Sequence, residues 1–161
     1  TRPVQFVSVF PNTADGKVDL CPAHLDAQAP GGLYHFQPDP ATPEYPLALI
    51  SPSSERTISS TLGELPGVDT RLLMHPDDAQ ARGLEDNDLV RVFNALGEVQ
   101  CTLRVLPTIK PGTVSLTKGL WRRSMRNGVT GTALVPDTLA DLGGGACFND
   151  ARVQVASLPS A

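Results

Sequence analysis

The strongest chemical signal in this 161-residue sequence is an uneven distribution of charge. Between Val99 and Pro136 there is no Asp or Glu, yet Arg104, Lys110, Lys118, Arg122, Arg123 and Arg126 supply +6, so a net charge of −4 leaves −10 on the remainder. Cations gathered in this way either pair with acidic neighbours across a solvated face or bind an anion, with backbone amides and hydroxyls completing the hydrogen bonds. Nucleic acid fits poorly, because the acidic remainder repels phosphate and few aromatics interleave with the cations. Hydroxyls concentrate in SPSSERTISS, residues 51–60, which is either ordinary loop chemistry or a set of donors for ligand oxygens.

Other chemistries are poorly supported. His24, His35 and His75 are solitary, without the spaced partners of a zinc site or a nucleophilic triad, and His75 reads as the end of a strand. Cys21, Cys101 and Cys147 are odd in number, far apart and never in C-x-x-C, so they are expected to be buried thiols in a reducing compartment. Asp77 and Asp78 stand together at a helix start, where capping explains them better than catalysis. The glycine run in DLGGGACFND lacks the partners of a Rossmann or P-loop fingerprint. No cysteine cluster suits iron–sulfur ligation. The sequence therefore nominates no catalytic residue and no metal ligand.

The elements that must position these side chains are mostly strands. Pro and Gly exceed their average share, no long helical period exists, and turn signals recur about every ten residues. Met74 to Val105 is the clearest stretch: Pro76 suits a first helical turn, Asp77 and Asp78 favour the positive helix end, and Gly83 can close a helix of one and a half turns. A β-hairpin follows, in which Val99, Cys101, Leu103 and Val105 face one way and Glu98, Gln100, Thr102 and Arg104 the other. Further strands are expected at Pro46 to Ser51, near Thr70 to His75, in KPGTVSL and in ARVQVAS, giving one domain that is a barrel or sandwich, its halves open to a pseudo-twofold relation. The first 45 residues hold one short strand candidate and then connector. No apolar run approaches the roughly 20 residues of a membrane span, and no signal segment is evident, so a soluble chain without membrane insertion is expected.

The order of YPLALISPSSERTISSTLG, HPDDAQARGLEDNDLVRVFNALGEVQ, IKPGTVSLTKGLW and NGVTGTALVPDTLADLGGGACFNDARVQV resembles the C-terminal molybdopterin-dinucleotide-binding domain of the dimethyl-sulfoxide-reductase family of molybdenum and tungsten oxidoreductases. The resemblance implies a mainly β fold, a six-stranded double-psi β-barrel with short helices over residues 46–158, preceded by a connector at 1–45 and followed by a tail at 159–161. It implies molybdopterin guanine dinucleotide, with molybdenum or tungsten, in the full-length enzyme, and a fragment that alone holds no metal and has no redox activity. Upstream domains of the same polypeptide and electron-transfer subunits or proteins would be its partners. The compartment would be cytoplasmic, with the periplasm as the alternative. The rival reading is a stand-alone double-psi barrel that binds a small ligand or another protein.

The same resemblance assigns cofactor-binding roles. Ser53, Ser54, Arg56, Thr57, Ser59 and Ser60 would meet pterin and phosphate oxygens. Trp121 would cover a heterocycle or else be a core aromatic, Arg122 would supply charge, Asn127 would bind a ring edge, and Gly119 would allow close backbone approach. Thr130 completes NGVT, which departs from the family pattern by one inserted glycine. Gly144 and Phe148 fall where the family closes over the pterin, or else in a plain turn.

Overall fold

The computed structural model describes residues 2–29, 31–36, 41–140 and 143–158. Residues 1, 30 and 37–40 of the expected connector, 141–142 of the expected barrel and the expected tail at 159–161 lie outside them. The chain divides into two compact units, Thr1–Pro38 with Asp141–Gly144, and Asp39–Ala140 with Gly145–Ala161. The first holds one short helix, α1 (Ala23–Asp26), and an isolated bridge between Gln5 and Val9 where a strand was expected, and none of its described residues is buried.

The second unit is a barrel of β1 (Leu47–Ile50), β2 (Leu72–Met74), β3 (Leu89–Asn94), β4 (Gly97–Val105), β5 (Thr113–Ser115) and β6 (Ala151–Ser157), with α2 (Pro76–Gln80) between β2 and β3. The ring closes in the order β1-β5-β2-β4-β3-β6. β1 and β5 run parallel, as do β2 and β4, and the remaining neighbours are antiparallel. Advancing every strand by three positions maps each pair onto another of the same sense, which is the pseudo-twofold left open by the sequence. The chain from β1 to β2 must pass the intervening β5, and the chain from β4 to β5 must pass β2. Two such crossings define the double-psi barrel.

Two-residue alternation builds the core. Val90 and Val92 of β3, Val99, Cys101 and Leu103 of β4, and Ala151, Val153 and Val155 of β6 are buried with Leu47, Leu49, Leu72, Met74 and Val114. Full burial of each Leu or Val is worth roughly 1.5–3 kcal/mol, so this inner face carries the stability and frees the loops for other work.

The acidic turn and short helix tie the crossings down. Asp86 accepts from the backbone N–H of Val105, and Asp88 accepts from that of Glu85, both at 2.8 Å. β2 ends at Met74, and His75 caps α2 by accepting from the N–H of Asp77 at Nδ1 (3.1 Å), in place of the expected strand end and aspartate cap. Asp78 instead accepts from the N–H of Gly112 at 2.7 Å, fastening the helix to the β4–β5 turn. The expectation of three buried thiols is corrected as well. Only Cys101 is buried, its thiol pushed up to about 12 by loss of hydration, whereas Cys21 is exposed and Cys147 half-buried.

Candidate functional site

Because β1 and β5 are parallel neighbours, the chain leaves both at the same end of the barrel. The two follow-on loops extend the pairing: Leu116 N–H donates to Ile50 O and Lys118 N–H to Pro52 O, each at 3.0 Å. β6 is antiparallel to β1, so the segment leading into it arrives at the same end, where Asn149 Oδ1 accepts from Ser51 N–H at 3.0 Å. Three loops far apart in sequence therefore share one mouth.

Two of them come into tight contact at Gly119. Its φ is +74°, and a Cβ there would collide with the Ser59 carbonyl and lie 2.6 Å from the Ser60 nitrogen. Ser59 itself holds a φ of +52°, a conformation that costs a non-glycine residue energy and that persists where surrounding structure imposes it. Beside this contact opens a cleft of about 390 Å³. Its walls are Ser51, Ser59, Thr117, Thr130 and Thr132 with their hydroxyls, the Lys118 ammonium, Asn149, Gly119, Gly131, and the apolar Leu120, Val135 and Phe148. No carboxylate lines it. Such walls suit an acceptor-rich, anionic ligand with a flat apolar portion.

Of the residues singled out in the sequence, Ser59, Gly119, Thr130 and Phe148 come together here. Phe148 is 66% exposed, so it stands at the rim rather than in the core. The others are distributed differently. Ser53, Ser54 and Arg56 line an open depression of about 910 Å³ with Asp69 and Arg71. The Ser54 hydroxyl accepts from the N–H groups of Arg56 and Thr57 and lies 2.7 Å from the Thr57 hydroxyl, so this pair shapes the loop, and Thr57 is buried.

Trp121 is half-buried rather than in the core, and it latches two connections together. Its Nε1–H donates to Ser60 O at 2.6 Å, its ring fills the space left by the missing side chain of Gly63, and the Arg123 guanidinium stacks on it at 4.5 Å. Ser60 thus enters through its carbonyl. Arg122 donates from Nε to Gly128 O at 2.8 Å. Asn127 spends its amide on β4, donating to Glu98 O (3.1 Å) and accepting from Gln100 N–H (3.2 Å). Gly144 belongs to the first unit, with a φ of +58°.

Sequence reading overlooked Ser51, Thr117, Thr132 and Asn149 as wall residues, and counted Lys118 only as one of six cations. Their signal was position: Thr117 and Lys118 directly precede Gly119, and Ser51 directly follows β1, but only the β1–β5 pairing brings these ends together. Among the described residues no group of three His, Cys, Asp or Glu could hold a metal ion, and no helix is long and apolar enough to cross a membrane.

Residues 47–152 match the family model described as the Molydopterin dinucleotide binding domain. The chain belongs to this family. It is 29% identical over 152 residues to Probable oxidoreductase YoaE of Bacillus subtilis, covering 89% of this chain and 22% of that protein. It is 36% identical over 94 residues to Dimethyl sulfoxide reductase DmsA of Escherichia coli, covering 56% of this chain and 11% of the other. Among solved structures it superposes on Acetylene Hydratase from Pelobacter acetylenicus with a TM-score of 0.73 at 19% identity, covering 94% of this chain and 25% of that one, a likeness of fold. The chain thus spans less than a quarter of the curated relatives named here, 22% and 11% of their lengths.

Proposed function

We propose that this domain is the C-terminal cofactor-holding part of a molybdenum or tungsten oxidoreductase, and that the barrel-mouth cleft grips one arm of molybdopterin guanine dinucleotide. One observation carries the reading: Gly119 against Ser59 leaves a preformed cleft walled by five hydroxyls and one ammonium, without a carboxylate. The residues present suit the group. Ser51, Ser59, Thr117, Thr130 and Thr132 would serve phosphate and ring oxygens, Lys118 would neutralise phosphate charge, and Phe148 would cover a ring face. When bound, such a cofactor supplies electron transfer at its metal. This chain's residues bind and orient it, and the protein ligand to the metal and the electron partners belong to the remainder of the polypeptide or to other proteins.

The test is Lys118→Gln in the full-length enzyme, with pterin measured fluorimetrically per mole of protein after washing at rising salt. Losing one charge-assisted hydrogen bond costs about 1.5–3 kcal/mol, so retention should fall by about one to two orders of magnitude while the thermal midpoint of the domain holds. Pterin content equal to that of the parent at every salt concentration would sink the assignment.

A further inference from the structure

Arg123 and Arg126 do not line the barrel-mouth cleft. They line a separate one of about 350 Å³, whose other polar walls are Thr70, Gln100, Thr102 and Ser124, with the Gln100 amide nitrogen already donating to Glu98 Oε1 at 2.9 Å and the buried Cys101 among the lining residues. The register explains why space exists there. Leu72 at the start of β2 pairs with Leu103, so residues 97–102 of β4 run on past β2 with no partner from that strand. The connection after β5 covers part of this unpaired edge through the two bonds of Asn127 to Glu98 and Gln100. Within that connection Met125 is buried and anchors the turn, and the residues on either side of it, Arg123, Ser124 and Arg126, remain exposed.

The two cations are available for a ligand. Stacking on Trp121 holds the Arg123 guanidinium in place, and Arg126 forms no ion pair among the described residues. None of the lining residues is acidic. Two guanidinium forks and three hydroxyls present donors in excess, which match a compact ligand that only accepts and carries about two negative charges, rather than a single planar carboxylate.

We infer that the cleft lined by Arg123, Arg126, Ser124, Thr70 and Thr102 is a second, separate anion site that takes the terminal phosphate of a small phosphorylated molecule. It does not rest on the reading of the barrel-mouth cleft, because the two share no lining residue.

The experiment titrates the 161-residue chain with inorganic phosphate, glycerol phosphate and acetate, following the backbone amide resonances of Thr102 and Ser124. Both phosphate probes should produce saturable shifts at these amides, the tighter one naming free phosphate or its ester as the source. Arg123→Gln/Arg126→Gln should weaken binding at least tenfold. Lys17→Gln/Lys110→Gln, which removes the same charge elsewhere, should leave binding unchanged, and thermal midpoints should confirm that both variants are folded. Absence of saturable shifts with either phosphate, acetate binding as tightly as phosphate, or an equal loss in the lysine control would each overturn the site.

Discussion

Single residues divide here into those that hold loops and those that face the cleft. Asp69 belongs to the first kind. Arg71 donates to it through Nε (2.9 Å) and Nη2 (2.7 Å), and this hydrogen-bonded guanidinium holds the Asp69 carboxyl below its ordinary range, against the opposing effect of partial burial. A depressed folded-state value means that the stabilisation is complete above the unfolded carboxylate value of about 3.9 and disappears as pH falls through the lower, folded one. Both side chains are more than a third exposed, so the pair is worth no more than about 1 kcal/mol. Asp69→Asn should lower stability by about that much near pH 7 and by nothing near pH 2, read from denaturant midpoints at both values. An equal loss at both would show that the cost comes from packing. None of this was legible in the sequence, where Asp69 is an ordinary charge just before an expected strand and Arg71 one within it. The resemblance singled out Gly119 for close approach to a cofactor, but its contact with Ser59, sixty residues away, was not legible.

At the scale of elements, the latch between the two long connections decides whether the mouth keeps its shape. Trp121→Phe keeps an aromatic ring for Gly63 and Arg123 while deleting the bond to Ser60 O. One neutral hydrogen bond contributes about 0.5–1.5 kcal/mol, so amide hydrogen exchange across residues 57–63 should speed up by about two- to tenfold with the strands unaffected. Unchanged exchange in that segment would show that Trp121 does not hold it. The hairpin β3–β4 and the one-and-a-half-turn helix α2 were readable because their signals are local: alternation, a proline at the first turn, a glycine at the stop. The use of Asn127 was not, since its amide serves β4 backbone groups that were unpaired only because β2 is three residues long. The acid-free stretch likewise divides in space. Arg122 is spent on a carbonyl, Arg104 reaches Asp69 at 3.9 Å, and Lys118 alone of the six lines the barrel-mouth cleft.

For the whole molecule, ring closure is what gathers scattered hydroxyls and one lysine around a single cleft. The barrel and its pseudo-twofold follow from strand count and order, but strand sense could not be read from periodicity alone, and the site depends on β1 and β5 being parallel. The central claim is that the Gly119–Ser59 contact shapes the cleft that holds the dinucleotide. Gly119→Ala and Gly128→Ala both place a side chain at positive φ, +74° and +68°, yet only the first meets neighbouring atoms, since nothing lies within 4 Å of a Cβ on Gly128. The conformational cost is therefore shared, and displacement of the Ser59 loop is unique to Gly119→Ala. The deciding measurement is pterin per mole of purified full-length enzyme in the two variants, beside the thermal midpoint of each. The account predicts that Gly128→Ala retains the parent's content and that Gly119→Ala loses at least tenfold in affinity, about 1.4 kcal/mol or more. Parent-level pterin in Gly119→Ala, with the barrel folded, would contradict it.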